Sequence, residues 1–241
     1  MQLAPSLHRI GNDIVAVYLV DAPEGVTVID AGLSGQWPEL IDELAAMGRT
    51  VDDVRGVVLT HGDTDHIGFA ERLRRDHGVP VHVHEADAAR ARGEESSKPG
   101  WGHVKLGATA RFLWYAARTG GLRTTHLTEV VPMRDGDVLD LPGSPRIIGM
   151  PGHSAGSVAI HVPAVDAVFV GDALTTRHVL TGAEGPQPAP FTDDPAEALA
   201  SLHRLDGVAA SWVLPGHGMP WHGGVPAIVD AIERAAEASA R

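Results

Sequence analysis

The segment His61-Gly62-Asp63-Thr64-Asp65-His66 packs four side chains of metal-ligating type into six residues, directly behind the apolar run Val57-Val58-Leu59. A strand that ends in such a loop must turn tightly and aim its polar side chains at one point, which constrains the fold more than any other stretch of the chain. Similar junctions recur downstream. His153 sits in Met150-Pro151-Gly152-His153-Ser154-Ala155-Gly156, Asp172 follows Ala167-Val168-Phe169-Val170-Gly171, and His217 sits in Val213-Leu214-Pro215-Gly216-His217-Gly218. Glycine beside each of them lets backbone approach closely or adopt positive φ. His61, Asp63, Asp65, His66, His153, Asp172 and His217 are therefore seven ligand candidates, the number two metal ions need when each also keeps a water position open. Because they run from position 61 to 217, a cut in mid-chain would split the site, and residues 1–241 read as a single domain.

With these residues in view, the chain resembles the metallo-β-lactamase-fold hydrolase superfamily, which includes glyoxalase II, lactonases and class B β-lactamases. The resemblance runs from about Ile10 to about Gly224 and takes in Val26-Thr27-Val28-Ile29-Asp30-Ala31-Gly32, similar to the superfamily's first motif. It implies an α/β fold, a four-layer αββα sandwich. It also implies one metal ion on His61, position 63 and His153, a second on Asp65, His66 and His217, and Asp172 bridging them. The departure is Asp63, where most dinuclear members carry histidine; the flavodiiron proteins of the same superfamily are similar in using an acidic residue there. A carboxylate makes the site harder and more negative. Two divalent ions are expected, zinc first, with manganese or iron as the alternatives that Asp63 introduces.

Charge and composition narrow the function. Nineteen basic against 31 acidic residues give a net charge of -12, which argues against nucleic acid as a partner, since such binders need clustered positive charge. There is no cysteine, so every donor must be nitrogen or oxygen and thiol redox chemistry is absent. Met1 to Ile10 lacks the basic start and apolar core of a secretion signal, and no apolar run reaches membrane-spanning length. A cytoplasmic protein acting on a small-molecule substrate, with no membrane partner, is the expectation; oligomeric state is not legible.

Periodicity supplies the elements. Ile14 to Val20 and Val26 to Ile29 read as a hairpin, Trp37 to Met47 as a helix, Val57 to Leu59 as a strand, and Asp65 as the start of the next helix. Val79 to His84 reads as a strand and Glu85 to Arg92 as a short helix. Glu94 to Gly100 is a polar linker and Lys105 to Arg118 a helix carrying Phe112, Leu113, Trp114 and Tyr115. Residues 93–134 form a lid-like insertion in this reading, although aromatic residues on a helix more often pack onto a core. Strands follow at Arg146 to Ile148, Val158 to Val162, Ala167 to Val170 and Trp212 to Leu214. Thr175 to Asp194 reads as a long loop. Helices run from Pro195 to Leu205, capped by Asp194, and from Val225 to Ala238.

The expected chemistry is hydrolysis by a metal-bridging hydroxide on a small ester, thioester or lactone, with Asp65 holding or accepting a proton while it ligates. Asp30 is expected to orient a ligand from behind, Tyr18 to belong to the core, and His178, His222 and Tyr115 to be side chains that could reach substrate. Two rivals stand beside this reading. One is an iron-dependent oxidoreductase needing a separate electron donor; the other is a metal-dependent binding protein without turnover.

Overall fold

A computed structural model describes residues 1–96 and 102–239; Ser97 to Gly100 of the expected linker lie outside the described residues. Two strands that periodicity did not signal, β1 (Gln2–Ala4) and β2 (Leu7–Gly11), open the chain, and the expected hairpin follows as β3 (Ala16–Ala22) and β4 (Gly25–Ile29). Then come α1 (Trp37–Ala46), β5 (Val54–Val58), α2 (Ala70–His77), β6 (Val81–His84), α3 (Ala88–Ala91), α4 (Leu106–Arg118) and β7 (Val131–Met133). The second half holds β8 (Arg146–Gly149), β9 (Val158–Val162), β10 (Ala167–Gly171), β11 (Thr175–Arg177), β12 (Glu184–Gln187), α5 (Pro195–Ser201), β13 (Trp212–Pro215), β14 (Trp221–His222) and α6 (Val225–Ser239).

Strands β1 to β7 form one sheet in sequence order, antiparallel up to β4 and parallel from β4 to β7. A second sheet runs β14-β13-β10-β9-β8. Alternate residues of one strand enter different layers, as the pleat requires. Val57 and Leu59 pack with Leu40, Leu44, Phe69 and Leu73 on the helical side, whereas Val58 faces the second sheet. Ala167 and Phe169 meet Tyr18, Ile29, Ile160 and Leu214 between the sheets, while Val168 and Val170 meet Leu202, Val225, Ile228 and Ile232 outside. Helix, sheet, sheet, helix is the αββα sandwich, and burial on both faces explains why these strands read as unbroken apolar runs.

Three local expectations change. Asp65 does not begin a helix; α2 starts at Ala70, because the His66 carbonyl and the Gly68 and Phe69 amides bond to Ala31 and Gly32 at 2.6–3.1 Å instead of to one another. Within the expected loop 175–194, β11 and β12 pair antiparallel, Thr175 opposite Gln187. On α4, Phe112 and Tyr115 pack against a small cluster of Ile14, Val15, Leu33, Val179 and Leu180, but Leu113 and Trp114 are exposed. Asp194 does cap α5, accepting from the Ala196 and Glu197 amides at 3.0 and 2.9 Å. Among the described residues no helix is long and apolar enough to cross a membrane.

Candidate metal centre

Strand direction brings the seven residues together. β4, β5 and β6 are parallel, so the loops after them open at one edge of the first sheet. β9 is antiparallel to β8 and β10, and β13 is parallel to β10, so β8, β10 and β13 also end at a common edge. Those two edges are tied by the Val158 amide donating to the Thr60 carbonyl and the Ala16 amide to the Gly216 carbonyl, both at 2.9 Å. His61 and His66 after β5, His153 after β8, Asp172 after β10 and His217 after β13 thus meet in one place.

Three overlapping groups have donor atoms within 4.8 Å of one another and could hold metal: His61, Asp63 and His153; Asp65, His66 and His217; and His61, His66 and Asp172. His153 Nε2 lies 3.3 Å from Asp63 Oδ2, and His217 Nε2 lies 3.5 Å from Asp65 Oδ2. Asp172 sits between the groups, Oδ1 3.6 Å from His66 Nε2 and Oδ2 3.1 Å from His217 Nε2 and 3.8 Å from His153 Nε2. Space is made by Gly216, where a Cβ would stand 2.5 Å from His66 Cε1 and 2.7 Å from Asp172 Oδ1. Gly171, at φ +49°, brings the backbone before Asp172 so close to Thr60 that a Cβ would meet its Oγ1 at 2.3 Å.

Every imidazole is turned the same way by a partner behind it. His66 Nδ1 donates to Asp30 Oδ2 at 2.9 Å, and His61 Nδ1 donates to Thr60 Oγ1 at 3.0 Å, which in turn donates to Asp30. His153 Nδ1 donates to Thr192 Oγ1 at 3.2 Å, and His217 Nδ1 to the Ile14 carbonyl. Asp30 thus has the orienting position expected of it, and it holds a left-handed φ of 61° to do so. Four Nε2 atoms are left facing inward. Those of His61, His66 and His153, together with Asp172 Oδ1, are buried and lack any hydrogen-bond partner. Buried donors and acceptors are rarely left so, and neutral imidazole nitrogens with carboxylate oxygens are the donors that divalent ions take. The residues fit such ions.

Besides Thr60 and Thr192, two supporting residues on the short helical segment after β6 escaped the sequence reading. Asp87, 1% exposed, accepts from the Gly62 amide at 2.8 Å, the Gly156 amide at 2.7 Å and Ser154 Oγ at 2.7 Å. It thereby clamps the loop of His61 to that of His153. Arg90 reaches Asp63. A half-buried carboxylate at position 63 is consistent with a cation nearby, but nothing in the sequence says which.

Mutual proximity polarises the charges. Burial lowers the basicity of His61 far below the usual imidazole range, aided by His66 and His153. Burial acts the same way on His66, yet Asp30 outweighs it and pushes that pKa up to about 10. His217 is likewise raised to about 9, with Asp172 overcoming burial. Burial would raise Asp172, but His217, His66 and His153 hold it well below the carboxylate range.

Beside the site opens a cavity of about 540 Å³. Val15, Leu33, Phe112, Ala116 and Phe191 give it apolar walls, and Asp63, Asp65 and Arg90 line it as well. His222 does not come near: it packs at a tilt against Trp212, ring centroids 4.3 Å apart, at the start of β13 and so at the end opposite His217. Tyr115 packs into the cluster under α4, and neither it nor His178 lines this cavity.

The family model of the metallo-β-lactamase superfamily matches residues 10–217, and the chain belongs to that superfamily. It is 27% identical over 92% of its length, and 87% of the relative's, to the probable metallo-hydrolase YflN of Bacillus subtilis. It is 31% identical to the acyl-coenzyme A thioesterase MBLAC2 of Bos taurus, over 66% of this chain and 57% of that one. Among solved structures it is similar to TTHA1623 in a di-iron-bound form, with a TM-score of 0.61, 27% identity and coverage of 93% and 96% of the two chains.

Proposed function

We propose that this protein is a two-metal-ion hydrolase of small esters, thioesters or lactones with an apolar acyl portion. One observation carries the reading: buried, partnerless imidazole and carboxylate atoms converge from two sheets beside a cavity that Asp63 and Asp65 line and to which Val15, Leu33, Phe112 and Phe191 give apolar walls. His61, Asp63 and His153 would hold one ion, Asp65, His66 and His217 the other, and Asp172 both. When bound, such ions supply a water acidified to near neutrality and a Lewis acid for a carbonyl oxygen. Zinc is the ion we assign; the similarity to a protein solved with two irons makes iron the alternative.

The chain's own residues do the rest. Asp65, 3.5 Å from His217 Nε2 and open to the cavity, holds or accepts the proton released on attack. Thr60, Asp30 and Thr192 keep the imidazoles from rotating. Val15, Leu33, Phe112 and Phe191 take the acyl chain and exclude bulk water, which makes α4 a wall of the substrate pocket, in a single domain with the metal centre. The thioesterase among the relatives supports a thioester within this range.

The test is a panel of acyl thioesters, aryl esters and lactones, run on purified protein before and after chelator treatment and after zinc return. Turnover lost with metal and regained with zinc supports the reading. Full metal loading without turnover on any member would favour a binding protein, and activity only with iron and an electron donor would favour an oxidoreductase.

A further inference from the structure

Where the resemblance leads one to expect an imidazole, position 63 carries a carboxylate, and the structure gives that carboxylate a cation of its own. Arg90, only 9% exposed, places Nε 2.6 Å from Asp63 Oδ1. The other oxygen, Oδ2, faces His153 Nε2 at 3.3 Å and His61 Nε2 at 3.6 Å. The two oxygens are therefore divided, one for the guanidinium and one for the imidazoles. Arg90 is itself fixed from the far side, with Nη1 donating to Asp193 Oδ2 at 3.0 Å, and the Asp193 amide donates to the His153 carbonyl at 3.1 Å.

Resting on the two-ion reading above, we propose that Arg90 is a positioning residue that makes Asp63 a one-oxygen donor, so that the pair replaces an imidazole. An imidazole offers one donor atom and no charge; the Arg90 and Asp63 pair does the same in sum. A lone carboxylate would be free to rotate or chelate through both oxygens, and would leave the site one charge more negative. With Asp63 gone, Arg90 would keep Asp193 but would set its charge against the imidazoles and a bound cation, which opposes metal binding. Neither residue is tolerated well without the other, whereas their joint replacement is.

That coupling is measurable with four proteins: wild type, Arg90→Met, Asp63→His and the double variant, each titrated with zinc against a chromophoric chelator. The expectation is that each single change weakens one of two zinc ions at least tenfold and spares the other. The double variant is expected to bind both within threefold of wild type. Losses that simply add in the double variant overturn the proposal, because an Arg90 that affects zinc binding independently of Asp63 gives additivity. Should the double variant not fold, Arg90→Lys decides, since keeping the cation should keep two-ion binding; a loss equal to that of Arg90→Met overturns the proposal too. A wild type that binds fewer than two zinc ions sinks the two-ion reading and this inference together, while two ions with additive variants sinks the inference alone.

Discussion

At the scale of single residues, the site depends on Nε2 atoms turned inward and on the carboxylates that face them. Asp65→Asn preserves shape and removes a charge, so turnover should fall by about 10²-fold or more with an unchanged far-ultraviolet dichroism spectrum. Near-normal hydrolysis by a folded, metal-loaded variant would refute the role given to Asp65. Gly216→Ala drives a methyl into His66 and Asp172, at 2.5 and 2.7 Å from their nearest atoms. It should cost about 1–3 kcal/mol in urea unfolding and lower metal content, while an unaffected metal content would show that the backbone approach is not needed. The raised pKa values have a definite sign. His66 and His217, at about 10 and about 9 against an ordinary 6.5, stabilise the metal-free fold fully below pH 6.5, and that stability is lost as pH rises through 9 to 10. At pH 7 both carry a proton that a metal must displace, so metal uptake should release protons and tighten as pH rises. Calorimetry in two buffers of different ionisation enthalpy reads the release directly, and uptake with no proton release would contradict these assignments.

At the scale of elements, β5, β8, β10 and β13 were legible because each is an apolar run ending beside a glycine and a ligand-type residue, and a two-sided sheet leaves that mark in the sequence. Helix α5 was legible to its cap at Asp194. Strands β1, β2 and β14 were not, being short edge or near-edge strands with mixed polarity, such as Leu7-His8-Arg9-Ile10-Gly11. The false helix start at Asp65 has a tertiary cause, since the backbone of residues 66–69 bonds to the loop after β4. Within the candidate site, the inward-facing residues showed themselves by motif and Asp30 by its turn. Asp87, Arg90 and Thr192 did not, because a residue that supports another from a different element leaves no local pattern. In the proposed function, helix α4 is the element that would set substrate choice, since Phe112, Leu113 and Ala116 line the cavity. Phe112→Ala should raise KM about tenfold for long-chain acyl substrates and spare acetyl esters, in line with the ~1–3 kcal/mol of a pocket contact. Equal effects on both chain lengths would show that α4 is packing and not a substrate wall.

At the scale of the molecule, the site exists only because two sheets present their strand ends at a common edge, and residues far apart in sequence close it. His61 and His217 come from different sheets, and Ile14 holds His217 across that joint. Such a site is buried on the side of the core and open on the side of α4, which suits the proposed metal centre and its substrate pocket. The excess of acidic residues also favours cations over polyanions around the molecule. The most direct test of the whole is quantitative elemental analysis of untagged protein purified without added metal or chelator. About two ions per chain, zinc foremost, are expected, in keeping with two three-residue groups sharing Asp172. A single ion per chain, or none, would contradict the two-ion reading.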